Sequence, residues 1–231
     1  MKAVILAAGK GVRMLPLTEN KPKVLVEVNG KPFLWYVIDH LRKAGFDELG
    51  IIVCYKKEKI TKFLQTYNLK ATLIEQKEQS GTGDAVKQAR SFAGKDNFLV
   101  YYGDNLISVE DLKSVPMSDV FNYTGGFEVE HPEKYGVLVE DDGFLQEIKE
   151  KPKDFVGKMI NPGLYKFTPE IFYALDKVNM SLRGEIELTD AVTILAKQKK
   201  VKIVPLKDYW LDMGRKEDIP KVEAFLKKLG E

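Results

Sequence analysis

Between Val4 and Lys23 the sequence VILAAGKGVRMLPLTENKPK sets four small residues, Ala7, Ala8, Gly9 and Gly11, just ahead of three cations, Arg13, Lys21 and Lys23. Small side chains let backbone N–H groups come close to an anion, and glycine reaches the positive-φ conformations that turn successive N–H groups toward one point. With the cations supplying charge, this is the pattern of a phosphate-binding loop fed by the apolar run Val4 to Leu6. A lone G-x-G after a strand is a weak signal that ordinary turns also show. An ordinary turn, however, has no use for an arginine two residues past its second glycine, or for Lys-Pro-Lys eight residues further on. A dinucleotide fingerprint fits poorly, because Met14 stands where that motif needs its third small residue for helix packing.

Composition narrows the remaining choices. A chain of 231 residues, 44% hydrophobic and 30% charged, can bury one substantial core and reads as a soluble globular protein. The net charge of +2 balances 36 basic against 34 acidic residues, and no long cationic run suggests nucleic-acid binding. No apolar run approaches the roughly 18 residues of a membrane span, and the first strand begins too near Met1 for a signal peptide. Cys54 is the sole cysteine, sits in an apolar run, and is expected in the core. A reducing, cytoplasmic location fits, and a homo-oligomer is compatible with the composition.

The loop needs a scaffold, and hydrophobic periodicity outlines one. Val24 to Val28 reads as a short strand, Asn29-Gly30 as a turn, and Phe33 to Leu41 as a helix. Leu49 to Val53 reads as a strand buried on both faces, followed by a helix through Ile60 to Tyr67 and a strand at Ala71 to Ile74. This βαβαβ order predicts a parallel sheet with right-handed crossovers. A helix carrying Ala85, Val86 and Ala89 and a strand at Asn97 to Tyr102 follow. The first loop, the loop beginning at Gln76 and Asp104 then fall at the carboxyl ends of strands, where open α/β sheets bind ligands.

Past about Val115 the pattern shifts to short strands at Val120 to Val129, Gly136 to Val139 and Phe144 to Ile148, the last two joined by an Asp141-Asp142-Gly143 turn. Met159 to Phe167 is strand-like but broken by Asn161-Pro162-Gly163, and Ile171 to Leu175 is helical. Thr189 is expected to cap a helix ending near Ala196. Val201 to Leu206 is a strand, and Ile219 to Leu229 a terminal amphipathic helix.

Taken together, the motifs resemble those of the sugar-1-phosphate nucleotidylyltransferases. The signature loop Leu6 to Thr18 with Lys21-Pro22-Lys23 is followed, in the order of that family, by Gly81-Thr82-Gly83, Gly103-Asp104-Asn105, Glu150-Lys151-Pro152 and Asn161-Pro162-Gly163. Gly184-Glu185, Thr189-Asp190 and Trp210-Leu211-Asp212-Met213-Gly214 complete the series across nearly the whole chain. The resemblance implies an α/β fold: a Rossmann-like, mostly parallel mixed sheet flanked by helices, with a smaller β-rich sugar-binding part. One domain over 1–231 is expected, with 1–115 as the nucleotide-binding half and 116–231 as the sugar-phosphate half and C-terminal helix. It also implies a single activity, because the long C-terminal extension of some larger relatives, often an acyltransferase β-helix, is missing from this sequence.

The implied reaction is attack of a sugar-1-phosphate oxygen on the α-phosphorus of a nucleoside triphosphate, UTP or dTTP, with glucose-1-phosphate the leading acceptor. Such a site needs cations and a metal more than a general base, since the nucleophile is already ionised. By resemblance, Arg13 and Lys23 are catalytic, and Leu6, Ala7, Ala8, Gly9, Gly11, Gln76, Gly81 and Thr82 bind the nucleotide. Glu150, Lys151, Asn161, Gly163, Glu185 and Thr189 match positions of the sugar-phosphate pocket, and Asp104 and Asp212 match carboxylates that bind Mg²⁺. An amide at Gln76 offers donor and acceptor together, suiting the imide of uracil or thymine.

Blander roles compete at several positions. An Asp at a strand end can cap a helix, a Glu-Lys pair is often solvated surface, and Lys21 either assists the triphosphate or merely solvates the loop. His40 and His131 belong to no metal-ligand pattern. Two rival functions stand beside the main one: cytidylyl transfer to phosphocholine or inositol phosphate, and a catalytically silent regulatory subunit. The retention of Arg13, Lys23, Asp104, Lys151 and Asp212 argues against the silent subunit.

Overall fold

The computed structural model describes residues 1–230. Its first half runs β1 (Lys2–Leu6), β2 (Glu27–Val28), β3 (Lys31–Pro32), α1 (Phe33–Lys43), β4 (Glu48–Val53), α2 (Lys57–Thr66), β5 (Thr72–Glu75), α3 (Thr82–Gln88), α4 (Arg90–Ala93), β6 (Phe98–Tyr102), β7 (Asn105–Ile107) and α5 (Val109–Lys113). Its second half runs β8 (Asn122–Glu128), β9 (Gly136–Asp141), β10 (Phe144–Glu150), β11 (Met159–Ile160), β12 (Leu164–Phe167), α6 (Ile171–Leu175), α7 (Leu188–Ala196), β13 (Val201–Pro205), β14 (Trp210–Asp212) and α8 (Ile219–Leu229).

Ten strands form one mixed sheet in the order β11-β9-β10-β13-β8-β12-β6-β1-β4-β5. Strands β6, β1, β4 and β5 are mutually parallel, as the βαβαβ pattern requires. Strand β12 enters antiparallel between β6 and β8, so the second half extends the same sheet. Alternation along the parallel strands feeds two cores. Ala3, Ile5, Leu49, Ile51, Leu99 and Tyr101 face the layer containing α1. Val4, Ile52, Phe98 and Val100 face the layer containing α3, α6 and α7. Both faces being covered explains why these strands read as continuous apolar runs.

Two hairpin turns form where the Asn-Gly and Asp-Gly pairs predicted them, with Asn29 and Gly30 at φ 47° and 77° and Asp142 and Gly143 at φ 50° and 75°. The strand expected over Val24 to Val28 does not form as such. Lys23–Leu25 is a 3₁₀ turn closed by Leu25 N–H to Pro22 O at 2.9 Å and Val26 N–H to Lys23 O at 3.0 Å, leaving only Glu27–Val28 extended. Thr189 is not the cap of α7, which begins one residue earlier. Its leading N–H, on Leu188, is instead met from across the chain by Thr82 Oγ1 at 3.1 Å.

Cys54 lies just past β4 and is only half-buried against the second core, short of the full burial expected. His40 is fully buried, with Nδ1 3.0 Å from Ile107 O, and ties α1 to β7, whereas His131 is exposed on the surface.

Candidate active site

The parallel strands deliver their loops to one edge, as expected, and the chain closes a cavity of about 410 Å³ there. Leu6, Ala7, Ala8 and Gly9 line it from the end of β1, Gln76 and Gly81 from the loop after β5, and Thr82 from the start of α3. The loop is held tightly to its neighbours. Ala7 N–H reaches Ile52 O and Gly103 N–H reaches Leu6 O, each at 3.0 Å. A side chain at Gly103 would put a Cβ 2.9 Å from that same carbonyl.

Gly11 lines neither this cavity nor the next. It sits at φ 65° with its Cα against Lys23, where an added Cβ would lie 2.8 Å from Lys23 Cβ. Its glycine character therefore serves the seating of Lys23.

Lys23 is 8% exposed, and its Nζ stands 2.6 Å from Asp104 Oδ2. Arg13 is exposed on the 3₁₀ turn Val12–Met14. Gln76 is buried, and its Nε2 donates to Gly81 O at 3.1 Å and to Asp84 Oδ2 at 2.8 Å. With both N–H donors engaged, the amide is left with Oε1 for a ligand, so it presents an acceptor where a donor-acceptor pair was expected.

A second cavity of about 520 Å³ opens beside the first. Glu150 and Lys151 line it from the end of β10, Asn161 and Gly163 from the β11–β12 connection, and Thr189 from α7. Asn161 is partly committed inside the protein: its Oδ1 accepts from Gly163 N–H at 3.0 Å and its Nδ2 donates to Tyr165 OH.

Glu185, grouped with the sugar-phosphate positions by sequence, lines the first cavity. The reason is a tight crossing in which Ile186 N–H bonds Ser80 O at 2.7 Å and Gly83 N–H bonds Ile186 O at 2.8 Å. Gly81, at φ 100°, permits it, since a Cβ there would lie 2.5 Å from Ile186 O.

Four residues line both cavities: Arg13, Thr82, Tyr102 and Asp104. The hydroxyl of Tyr102 bonds Thr82 and Tyr165, and burial pushes its pKa up to about 12, so it remains a neutral hydrogen-bonding group at this junction.

Asp212 joins Asp104 through a two-stranded sheet that the sequence pattern did not disclose. Strand β14 pairs antiparallel with β7 so that Asp212 faces Asn105, the residue after Asp104, and Met213 N–H bonds Asp104 O at 2.9 Å. Burial, and then the charge of Asp104, push the Asp212 carboxyl up to about 6, against the opposing pull of Lys23 and Arg13. Asp104 and Asp212 together offer hard carboxylate oxygens of the kind a divalent cation takes. Among the described residues there is no cluster of three or more His, Cys, Asp or Glu side chains able to hold a metal. Two carboxylates short of a closed cage suit a divalent cation that fills its remaining coordination with water and phosphate oxygens.

Sequence reasoning missed several lining groups. Gln79 Nε2 donates to Ala8 O and braces the loop after β1. Lys134, Arg183 and Asp190 line the second cavity, as does Trp210, whose indole N–H reaches Asn105 Oδ1 at 3.0 Å and whose ring meets Tyr135 edge-on at 5.3 Å. A Trp two residues before a candidate ligand was the available signal. Lys21, for which two roles stood open, lines neither of the two cavities and instead faces a third, on the other side of the loop.

Comparison with known proteins adds an independent line. A family model described as nucleotidyl transferase matches residues 2–228. The chain is 41% identical over 228 residues to the bifunctional protein GlmU of Methanocaldococcus jannaschii, covering 98% of this chain and 54% of that one. It is 39% identical over 218 residues to a bifunctional sugar-1-phosphate nucleotidylyltransferase/acetyltransferase of Sulfurisphaera tokodaii, covering 93% and 53%. The chain thus spans about half the length of the curated relatives it matches. Among solved structures, a UDP-glucose pyrophosphorylase complexed with UDP-glucose aligns with a TM-score of 0.86 at 25% identity over 98% of both chains. A Bacillus anthracis protein assigned as a glucose-1-phosphate thymidylyltransferase aligns with a TM-score of 0.87 at 25% identity, covering 97% of this chain and 94% of the other.

Proposed function

We propose that this chain, which belongs to the nucleotidyl transferase family and resembles its sugar-1-phosphate members, joins a nucleoside triphosphate to a sugar-1-phosphate. A phosphate oxygen of the sugar attacks the α-phosphorus, the bond from that phosphorus to the β-phosphate bridging oxygen breaks, and pyrophosphate leaves as a nucleotide-sugar forms. The observation that carries the reading is the shared lining of two adjoining cavities by Arg13, Thr82, Tyr102 and Asp104. A group transferred between two bound polyanions has to pass such a junction.

Roles follow from placement. The small residues Ala7, Ala8 and Gly9 let the triphosphate lie against the backbone at the end of β1. Lys23 and Arg13 neutralise it, with Arg13 stabilising charge that develops on the transferring group. Lys151, with Lys134 and Arg183 nearby, holds the acceptor phosphate, while Glu150 and Thr189 offer hydrogen bonds to sugar hydroxyls. Asp104 and Asp212 would hold Mg²⁺. When bound, that ion screens repulsion between the phosphates and polarises the α-phosphoryl oxygens.

UTP or dTTP is the proposed nucleotide. The free Oε1 of Gln76 accepts from the imide N–H of uracil or thymine, whereas cytosine offers an acceptor at that ring position and would meet it with repulsion. This preference also weighs against the cytidylyl-transfer alternative. Glucose-1-phosphate is the proposed acceptor. We read 1–231 as one domain in which 1–115 binds nucleotide and 116–231 binds the sugar phosphate. Among the described residues no helix is long and apolar enough to cross a membrane.

Pyrophosphate release measured over a matrix of nucleoside triphosphates and sugar-1-phosphates, choline phosphate and inositol phosphate, with Mg²⁺, tests the proposal. Highest turnover for UTP or dTTP with glucose-1-phosphate is expected. Turnover only with CTP and an alcohol phosphate would overturn the substrate reading, and no turnover anywhere would favour the regulatory one.

A further inference from the structure

The small sheet that brings Asp212 beside Asp104 is too short to fix its own register. Strands β7 and β14 share three residue pairs, Asn105 with Asp212, Leu106 with Leu211 and Ile107 with Trp210. Side chains alternate along a strand, so a slip of one residue would turn Asp212 to the other face. What holds the register therefore lies outside the ribbon.

Strand β7 is tied to the body of the protein through Ile107. Its N–H donates to the buried Tyr101 hydroxyl at 2.8 Å, and its carbonyl lies 3.0 Å from His40 Nδ1. Strand β14 is held at its entry by Asp111, a buried carboxylate to which the proposed reaction gives no role. Lys207 N–H donates to Asp111 Oδ1 at 2.8 Å and Asp208 N–H to Oδ2 at 3.0 Å. Tyr209 O then accepts from Ser108 N–H at 3.2 Å. Two oxygens on two successive N–H groups define one position along the chain, ending four residues before Asp212.

The local sequence would use this carboxylate differently. Ser108-Val109-Glu110-Asp111 has the form of a capping box, in which the first side chain meets the fourth residue's N–H and the fourth side chain returns to the first N–H. Half of the box forms, with Asp111 N–H donating to Ser108 Oγ at 3.1 Å. The other half does not. Ser108 N–H is taken by Tyr209 O, and the Asp111 carboxylate reaches residues 96 and 97 positions away along the chain. Helix α5 forgoes one local bond, and the approach to β14 gains two.

We propose that Asp111 is a positioning residue for the cation site: by locking β14 against β7 it sets the Asp212 carboxylate relative to that of Asp104. This rests on the reading of those two carboxylates as Mg²⁺ ligands. Asp111 itself lines neither of the two adjoining cavities, so its effect passes through Asp212.

The test is Mn²⁺ binding to the nucleotide-free full chain, followed by loss of the free-ion electron paramagnetic resonance signal. Mn²⁺ stands in for Mg²⁺ as an ion that takes oxygen ligands in octahedral geometry. Asp111→Asn sets an amide NH₂ against one of the two backbone N–H groups. It is expected to weaken Mn²⁺ binding at least about tenfold, the scale found for residues that orient metal ligands. The half-saturating Mg²⁺ for turnover rises with it, while KM for the nucleotide at saturating Mg²⁺ stays within about twofold of wild type. Asp111→Glu keeps both acceptors and recovers part of the loss. Ser108→Ala is the control: it removes the cap of the same helix and lowers Tm, yet leaves Mn²⁺ affinity within about twofold of wild type. Equal Mn²⁺ affinity in wild type and Asp111→Asn overturns the proposal. Equal weakening by Ser108→Ala overturns it too, since general loosening would then suffice. Wild type that binds no Mn²⁺ removes the metal reading itself, and the proposal with it. If Asp111→Asn does not fold, amide exchange in wild type, followed by NMR, decides. Coupling is reciprocal, so saturating Mg²⁺ is expected to slow exchange of the Lys207 and Asp208 N–H groups, and unchanged rates overturn the proposal.

Discussion

The two adjoining cavities are built on opposite principles. The first, proposed to take the nucleotide, is formed by strand ends and small residues, with Gly103 and Gly81 allowing contacts that a Cβ would forbid. The second, proposed to take the acceptor, is lined by long polar side chains, Lys134, Glu150, Lys151 and Arg183, carried on turns and strand ends of the β-rich half. A backbone-built cavity is rigid and suits the part common to every substrate, the triphosphate. A side-chain-built cavity can change its chemistry without changing the fold, which suits the part that varies, the sugar.

Substitutions sharpen this contrast. The largest effect is expected at the junction, where Arg13→Ala should lower kcat about 1000-fold, on the scale of arginines that stabilise phosphoryl-transfer charge. Steady-state kinetics with near-normal KM for both substrates would support that role. Lys151→Met belongs to the acceptor side alone and should raise KM for the sugar phosphate about 10- to 100-fold, with the nucleotide KM little changed. An equal rise in both would dissolve the distinction between the cavities.

On the backbone-built side, Gly81→Ala forces a Cβ against Ile186 O and requires positive φ of alanine, so it should cost about 1–3 kcal/mol of stability. Denaturant unfolding reads that directly. A matching alanine at Gly184, which has open space but also a positive φ, should cost less.

A smaller effect on stability is expected at Asp212. Its carboxyl is raised from the ordinary 3.8 to about 6 in the folded chain, chiefly by burial and then by Asp104. As pH rises from about 4 to 6 the unfolded chain therefore releases this proton first, and metal-free stability falls through that window. Asp212→Asn removes the penalty and should stabilise the metal-free protein by on the order of 1 kcal/mol at pH 7. Mg²⁺ is expected to raise the Tm of wild type, and the same variant should lose both that rise and turnover. In wild type, that Mg²⁺-dependent rise should fade as pH drops below about 6, where protons compete for the carboxylate.

The contrast also explains what could be read from residues alone. The phosphate loop, both Asx-Gly hairpins and α8 are local, and each announces itself by residue type or period. The pairing of β7 with β14 is not local. Each strand has three residues, too few for a period, yet it is this pairing that brings Asp212 beside Asp104. Which cavity Glu185 lines is likewise not local, because it is decided by the Ser80–Ile186 crossing and not by its own sequence context. Lys21 and Lys23 are two residues apart, and only the 3₁₀ turn after Pro22 determines that they serve different cavities.

If the two cavities are the donor and acceptor sides of one nucleotidyl transfer, UTP labelled at its α-phosphate and supplied with glucose-1-phosphate and Mg²⁺ should pass its label into a nucleotide-sugar while an equal amount of unlabelled pyrophosphate is released. Neither product should form when either substrate is omitted. Label retained in UTP, or recovered as UDP with phosphate passed to the sugar, would contradict it.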